Sequence, residues 1–327
     1  MCRCPERGTK TMKYALRRIA MLLLTMVIVS LLAFVAFDLI SGDPATAMLG
    51  TQATEESVAA LRAELGLDRP LLVRYGEWLL GFFTGNLGTS YNYYQPVWDL
   101  IASKVALTLT LSLLSFVLIV AVSVPLGVWS SRHAGGVRDG ARTAFNQLCM
   151  AVPPFFTGIL LTWVFSTVLH VFTHGSFPGF GTDLWGSLGY LVFPAVALAI
   201  PRIAMTVRML RSTIQEEMGK AYVRTAISRG NDRRGVLYRH VLKNALVPVV
   251  TFLAQTMAEI VAGSIVVEQV FALPGLGRML VASISNRDYP VVQAIVVILA
   301  FWVVLSGTVA DLINQRIDPR LRLGGDL

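Results

Sequence analysis

Residues 105–131 read VALTLTLSLLSFVLIVAVSVPLGVWSS and contain no Asp, Glu, Lys or Arg. As an α-helix rising ~1.5 Å per residue, this run extends about 40 Å, more than the ~30 Å hydrocarbon core of a bilayer. Working outward, the same absence of charge recurs over 19–37, 143–182, 184–201 and 289–310, and a further apolar run at 245–267 is interrupted only by Glu259. The whole chain is 54% hydrophobic and 15% charged, against roughly 25% charged in soluble domains. Length alone, 327 residues, would suggest about two soluble domains, but the uncharged runs replace that reading. The pattern predicts an all-α polytopic membrane protein with six transmembrane helices, near 17–39, 104–130, 143–170, 186–209, 245–267 and 289–312. The third uncharged run is too long for one span, so it must leave the membrane near HGSFPGFG, 174–181, where Gly and Pro interrupt a helix.

Lys and Arg in short loops set the orientation. The N-terminal tail carries Arg3, Arg7, Lys10, Lys13, Arg17 and Arg18, the loop after the second span Arg132, Arg138 and Arg142, and the C-terminal tail Arg316, Arg320 and Arg322. Residues 41–103 hold seven acidic groups against three arginines. This asymmetry predicts cytoplasmic tails at 1–16 and 314–327, a transmembrane domain over 17–313, an external segment at 41–103 and a cytoplasmic loop at 211–243. The net charge of +8 is then a topology signal. It is not gathered on one solvated face as nucleic-acid binding requires. Cys2, Cys4 and Cys149 do not make a secreted disulfide framework. The first apolar run lacks a small-residue cleavage site and reads as an anchor.

Within 41–103, TEESVAALRAELG predicts a short helix with Thr54 as N-cap, Glu55 and Glu56 in the positive first turn, and Gly66 as the stop. After Pro70, Leu71, Leu72, Tyr75, Trp78, Leu79 and Phe82 recur at helical spacing. That face fits either a structural cap on the spans or a docking surface. The loop at 211–243 holds eight Lys or Arg against three acidic groups. It predicts two short helices around a glycine. Tyr222, Val223, Ala226 and Ile227 share one apolar face, Arg224 lies off it, Gly230 suits a positive φ, and Asp232 can cap the second arm. An exposed apolar stripe must bury itself in something. A groove on a soluble partner and the protein's own cytoplasmic ends are equally good solutions by this reasoning.

The segment AYVRTAISRG...LYRHVLKNALVP, together with SGDPATAMLG, LGLDRPLLVRYGEWLLGFFTGNLGTS, VVEQVFALPGLGRML, RDYPVVQ and DLINQRIDPRLR, resembles the permease subunit of ATP-binding-cassette importers of the dipeptide/oligopeptide/nickel branch. The resemblance runs from about residue 14 to 322. The general family loop opens Glu-Ala-Ala where this chain has Arg224, Thr225 and Ala226, and Asn86 stands where the branch usually shows Asp. The resemblance implies a coupling helix at 221–229, with Ala221, Tyr222, Val223, Arg224, Ala226 and Ile227 engaging an ATPase and Gly230 setting the elbow. It implies as partners a second homologous permease, two cytoplasmic ATP-binding subunits, an external substrate-binding protein and membrane lipid, in a bacterial inner membrane. It also implies that Glu268, within the pattern E-x-x-F-x-x-P-G-L-G, braces the outer loop against the fifth span. The substrate class it implies is di- or oligopeptides, or nickel and metal chelates. No G-x-x-x-x-G-K-[ST] phosphate loop occurs. ATP and Mg are therefore expected in partner subunits, with no cofactor and no catalytic residue in this chain.

Other chemistry finds less support in the residues. His170 and His174 are four apart, but no Glu lies between them to serve a zinc-protease site, and no metal is expected. Glu259 lies inside the fifth span, where a carboxylate is costly; it either lines or gates a path or is a hydrogen-bonded structural group. Pro153 and Pro154 remove two backbone donors early in the third span and predict a kink, either hinge or static bend. A gradient-driven secondary transporter using Glu259 is the alternative class. Its usual hint, duplicated and interrupted spans in two halves, is missing. No nucleophile–base pair supports an intramembrane hydrolase.

Overall fold

The computed structural model describes residues 6–40, 44–50 and 53–317. The expectations for Cys2, Cys4 and the extreme tails lie outside those residues. In chain order the helices are α1 (Glu6–Ile40), α2 (Pro44–Leu49), α3 (Glu55–Glu64), α4 (Leu71–Thr84), α5 (Val97–Arg132), α6 (Val137–Ala151), α7 (Pro154–Leu161), α8 (Leu184–Met218), α9 (Ala221–Ser228), α10 (Arg233–Val236), α11 (Leu242–Val270), α12 (Leu276–Ser285) and α13 (Tyr289–Ile317). Among the described residues regular structure is helical apart from one isolated bridge, Thr89 to Pro96. Among the described residues, five helices are long and apolar enough to span a membrane, and a sixth span is made if the bent pair α6–α7 counts as one.

That bend is 97°. Pro153 takes an extended backbone with φ −64° and ψ 146°, and Pro154 opens α7. Where a kink was expected in the third span, the helix is broken outright, a larger effect. A proline disfavours helical backbone at the residue before it, and two in succession enforce an extended break. Beyond α7 the chain continues as a π-helical run, Thr162–Val168, and leaves the helix there. His170 has φ +52° in the following loop. The two histidines thus do not share a helical face, and the geometry assumed for a zinc pair is absent.

The chain divides into two compact units, residues 1–107 with 274–305, and 108–273 with 306–327. In the first, Thr54 caps α3 in reciprocal exchange with Ser57, and Gly66 follows at φ +68°. The packing of α4 settles one face of it. Tyr75 Oη lies 2.9 Å from Ser30 Oγ of α1, and Phe34 of α1 meets the rings of Tyr75 and Trp78 at 5.6 and 6.2 Å. Leu72, Leu80 and Phe83 of the same helix remain largely exposed. Buried Asp288, just before α13, accepts from Ser90 Oγ and from the backbone N–H of Tyr91 at 3.1 Å. That carboxylate fastens the loop after Gly88.

The second unit is centred on α8. It packs against α6, α7 and α11, and its buried face runs from Ser187 to Ile214. Where α5 crosses α8, a Cβ on Gly127 would stand 2.8 Å from Leu210 Cδ2. A glycine is what permits the close approach. Arg211 donates to Asp139 at 2.6 Å, and Asn146 to the Ala204 carbonyl at 2.9 Å, tying α6 to α8.

Candidate functional site

The loop between α8 and α11 forms an elbow. α8 ends at Met218, α9 covers Ala221–Ser228, and Gly230 turns the chain at φ +88°. The Asn231 side-chain amide donates to the Ala226 carbonyl at 3.0 Å, which closes the end of α9. Asp232 then caps the second arm by accepting from Gly235 N. That arm differs from the expected short helix. From Arg233 it continues through a π-helical stretch, Leu237–Val241, into α11 without a break, as one apolar 38-residue helix to Val270. The elbow's second arm is the first part of the fifth span itself. Val236, Leu237 and Val241 on this arm are buried within the chain.

The four residues of the α9 face separate. Val223 is only 1% exposed, so it anchors α9 to its own chain rather than offering itself to a partner. Ile227 is 38% exposed, Ala226 is half-buried, and Arg224 and Ala221 are exposed. Tyr222 has a role that spacing alone does not reveal. Its Oη donates to Glu217 Oε2 at 2.7 Å, near the end of α8, and accepts from Asn244 Nδ2 at 3.4 Å, near the start of α11. Lys220 pairs with the same Glu217. One phenol thus joins the short arm to both flanking spans. Burial raises its pKa above 10.0, and the hydrogen bond to Glu217 adds to that effect. The Lys220 ammonium is held above its usual value chiefly by its bond to Glu217.

Glu259 of α11 forms an ion pair with Arg202 of α8. The Glu259 side chain is 50% exposed and that of Arg202 26%, so the pair sits on an open face of the two helices. Glu268 behaves differently. It is fully buried, accepts from Thr108 Oγ1 of α5 at 2.6 Å, and its backbone carbonyl accepts from Leu273 N at 2.9 Å. Its carboxylate is thus engaged by a neighbouring span, while its backbone closes the turn after α11. Sequence reasoning missed Arg202, Asn244 and Asp288. An arginine within the expected fourth span, 186–209, was the available signal for the first.

Residues 123–323 match the family described as binding-protein-dependent transport system inner membrane component. The chain belongs to that family. Residues 11–113 match the companion description of the N-terminal part of such membrane components. A Brucella abortus (strain 2308) protein assigned by name to peptide transport as a permease is 38% identical over 307 residues, covering 94% of this chain and 98% of that one. A Sinorhizobium fredii protein named as a peptide ABC transporter permease is 34% identical over 309 residues, covering 94% and 99%. The dipeptide transport system permease protein of Escherichia coli (strain K12) is 32% identical over 335 residues, covering 95% and 99%. This permease is accordingly a multi-pass transport protein. Both matched regions include its apolar helices, and the first contains the elbow.

Proposed function

We propose that this permease conducts short peptides into the cell as the membrane subunit of an ATP-driven importer. Peptides are preferred over nickel or metal chelates because the relatives are named for peptide and dipeptide transport. The observation that carries the mechanism is the elbow: an exposed short arm, a glycine at φ +88°, and a second arm continuous with a spanning helix. Two cytoplasmic ATP-binding subunits hold ATP and Mg, and α9 docks on one of them through Ala226, Ile227 and the exposed flank at Ala221 and Arg224. When the ATPases close, α9 is displaced. Tyr222 and Gly230 pass that displacement to α8 and α11, which move as rigid elements. A second homologous permease completes the path, and an external binding protein delivers substrate. Both termini and 211–243 are cytoplasmic and 41–103 is external, on the distribution of Lys and Arg. Pro153 and Pro154 place a fixed break where the third span can pivot, and Glu259 lies on the path face. The test is reconstitution of the permease with its partners in liposomes loaded with ATP. Peptide uptake should require ATP and the binding protein. Uptake of an unrelated solute class in place of peptides would overturn the reading.

A further inference from the structure

The Arg202–Glu259 pair stands inside two apolar spanning helices, yet half of the Glu259 side chain is open. A charge at that depth is costly against lipid and is ordinarily turned to protein or a water-filled cavity. The neighbours on the same face differ from a lipid-facing surface. On α11, Gln255 is exposed one helical turn before Glu259, and Phe252 lies a turn before that. On α8, Met205 and Met209 follow Arg202 at helical spacing. With Phe252 and Met150 they form the apolar part of an open cleft of about 340 Å³, whose polar part is Arg208, Ser212 and Thr213; the cleft follows Arg202 along α8 and does not include the ion pair in its lining. The face thus offers a cation and an anion beside one another, followed by adaptable, polarizable side chains. Methionines accommodate varied apolar shapes because their unbranched chains repack at little strain.

A zwitterionic short peptide is complementary to that arrangement. We propose that Arg202 and Glu259 form a station for peptides in transit, an inference that rests on the peptide-importer reading above. With no peptide present the two side chains neutralise each other. On arrival the pair opens: Arg202 takes the peptide α-carboxylate as a forked donor, and Glu259 accepts from the α-ammonium. Met205, Met209 and Phe252 receive the side chains. The termini are thus recognised by charge while side-chain identity is left loose. When the peptide departs, the ion pair re-forms and closes the face.

The experiment uses the reconstituted complex of permeases, ATPases and binding protein, and a dipeptide bearing a photoreactive diazirine side chain. Adducts are mapped by mass spectrometry after illumination during turnover. The parental complex should carry adducts on Met205, Met209 or Phe252. Arg202→Gln and Glu259→Gln should each lower adduct yield and uptake roughly tenfold or more, the loss expected for one charge-assisted contact, with peptide binding to the isolated binding protein unchanged. The exchange Arg202→Glu with Glu259→Arg should recover a substantial part of both. Adducts confined to other helices, or parental yield in either single variant, overturn the proposal. So does recovery of assembly by the exchange without adducts on the α8–α11 face, which would make the pair a structural contact between those two helices. Failure of the importer reading looks different: the parental complex would take up no peptide at all.

Discussion

Tyr222→Phe removes a single oxygen from the elbow and tests whether that oxygen transmits motion. The phenol donates to Glu217 at 2.7 Å and accepts from Asn244 at 3.4 Å. A hydrogen bond to an ionised group contributes about 1.5–3 kcal/mol, and a long neutral one well under about 1 kcal/mol. Glu217 retains Lys220, and the phenol is part-exposed, so the net loss should fall near 1–2 kcal/mol, a factor of roughly 5–30 in the occupancy of the tethered state. Because the ring stays, α9 should keep its fold. The assay is paired measurement of ATP hydrolysis and peptide uptake in proteoliposomes. The expected result is hydrolysis near the parental rate with uptake per ATP reduced severalfold. The pH dependence follows from the raised phenol. A group whose folded pKa lies above its unfolded value contributes fully below that unfolded value, here 10.0, and loses the contribution as pH rises through the folded one. Coupling should therefore not decline through phenol ionisation between about pH 6 and 9. Parental coupling in Tyr222→Phe would refute the transmission argument.

Other outcomes follow from the same geometry. Gly230→Val forces a β-branched residue into φ +88°, where a Cβ meets no neighbour, so the penalty of about 1–3 kcal/mol is backbone strain alone; Gly230→Asn should be milder by assembly yield, since Asn tolerates this region. Ala226→Asp should insert normally yet fail to copurify with the ATPases, because it places a charge in the docking groove, whereas Arg224→Ala should retain most association. Asp288→Ala strips the buried acceptor of Ser90 and Tyr91 and should lower thermal stability by about 2–4 kcal/mol, measured by tryptophan fluorescence. In intact cells, an impermeant thiol reagent should label Glu56→Cys and spare Arg234→Cys; labelling of the latter would reverse the topology.

The spans were legible because an uncharged run of that length, taken at helical rise, matches a bilayer core and little else. The caps at Thr54 and Asp232 were legible because side-chain acceptors before a helix have local consequences, and Gly230 for the same local reason. The fate of Val223 was not. Periodicity reports that a residue is apolar on one face, but whether its own chain or a partner covers that face depends on tertiary packing. The continuity of the second arm with α11 was hidden by Arg233, Arg234 and Arg239, whose charges interrupt the apolar run without ending the helix. The link from Tyr222 to Asn244, and the pairing of Arg202 with Glu259, connect residues distant in sequence, and no spacing rule reaches them.

If partner ATPases, acting through the elbow, drive this permease, transport must stop when they do. The most direct measurement is peptide uptake by the reconstituted complex with ATPase subunits unable to hydrolyse ATP, under an imposed proton gradient. No uptake above leak is expected, and no change when a protonophore is added. Uptake that persists with inactive ATPases and collapses with the gradient would contradict ATP-driven import.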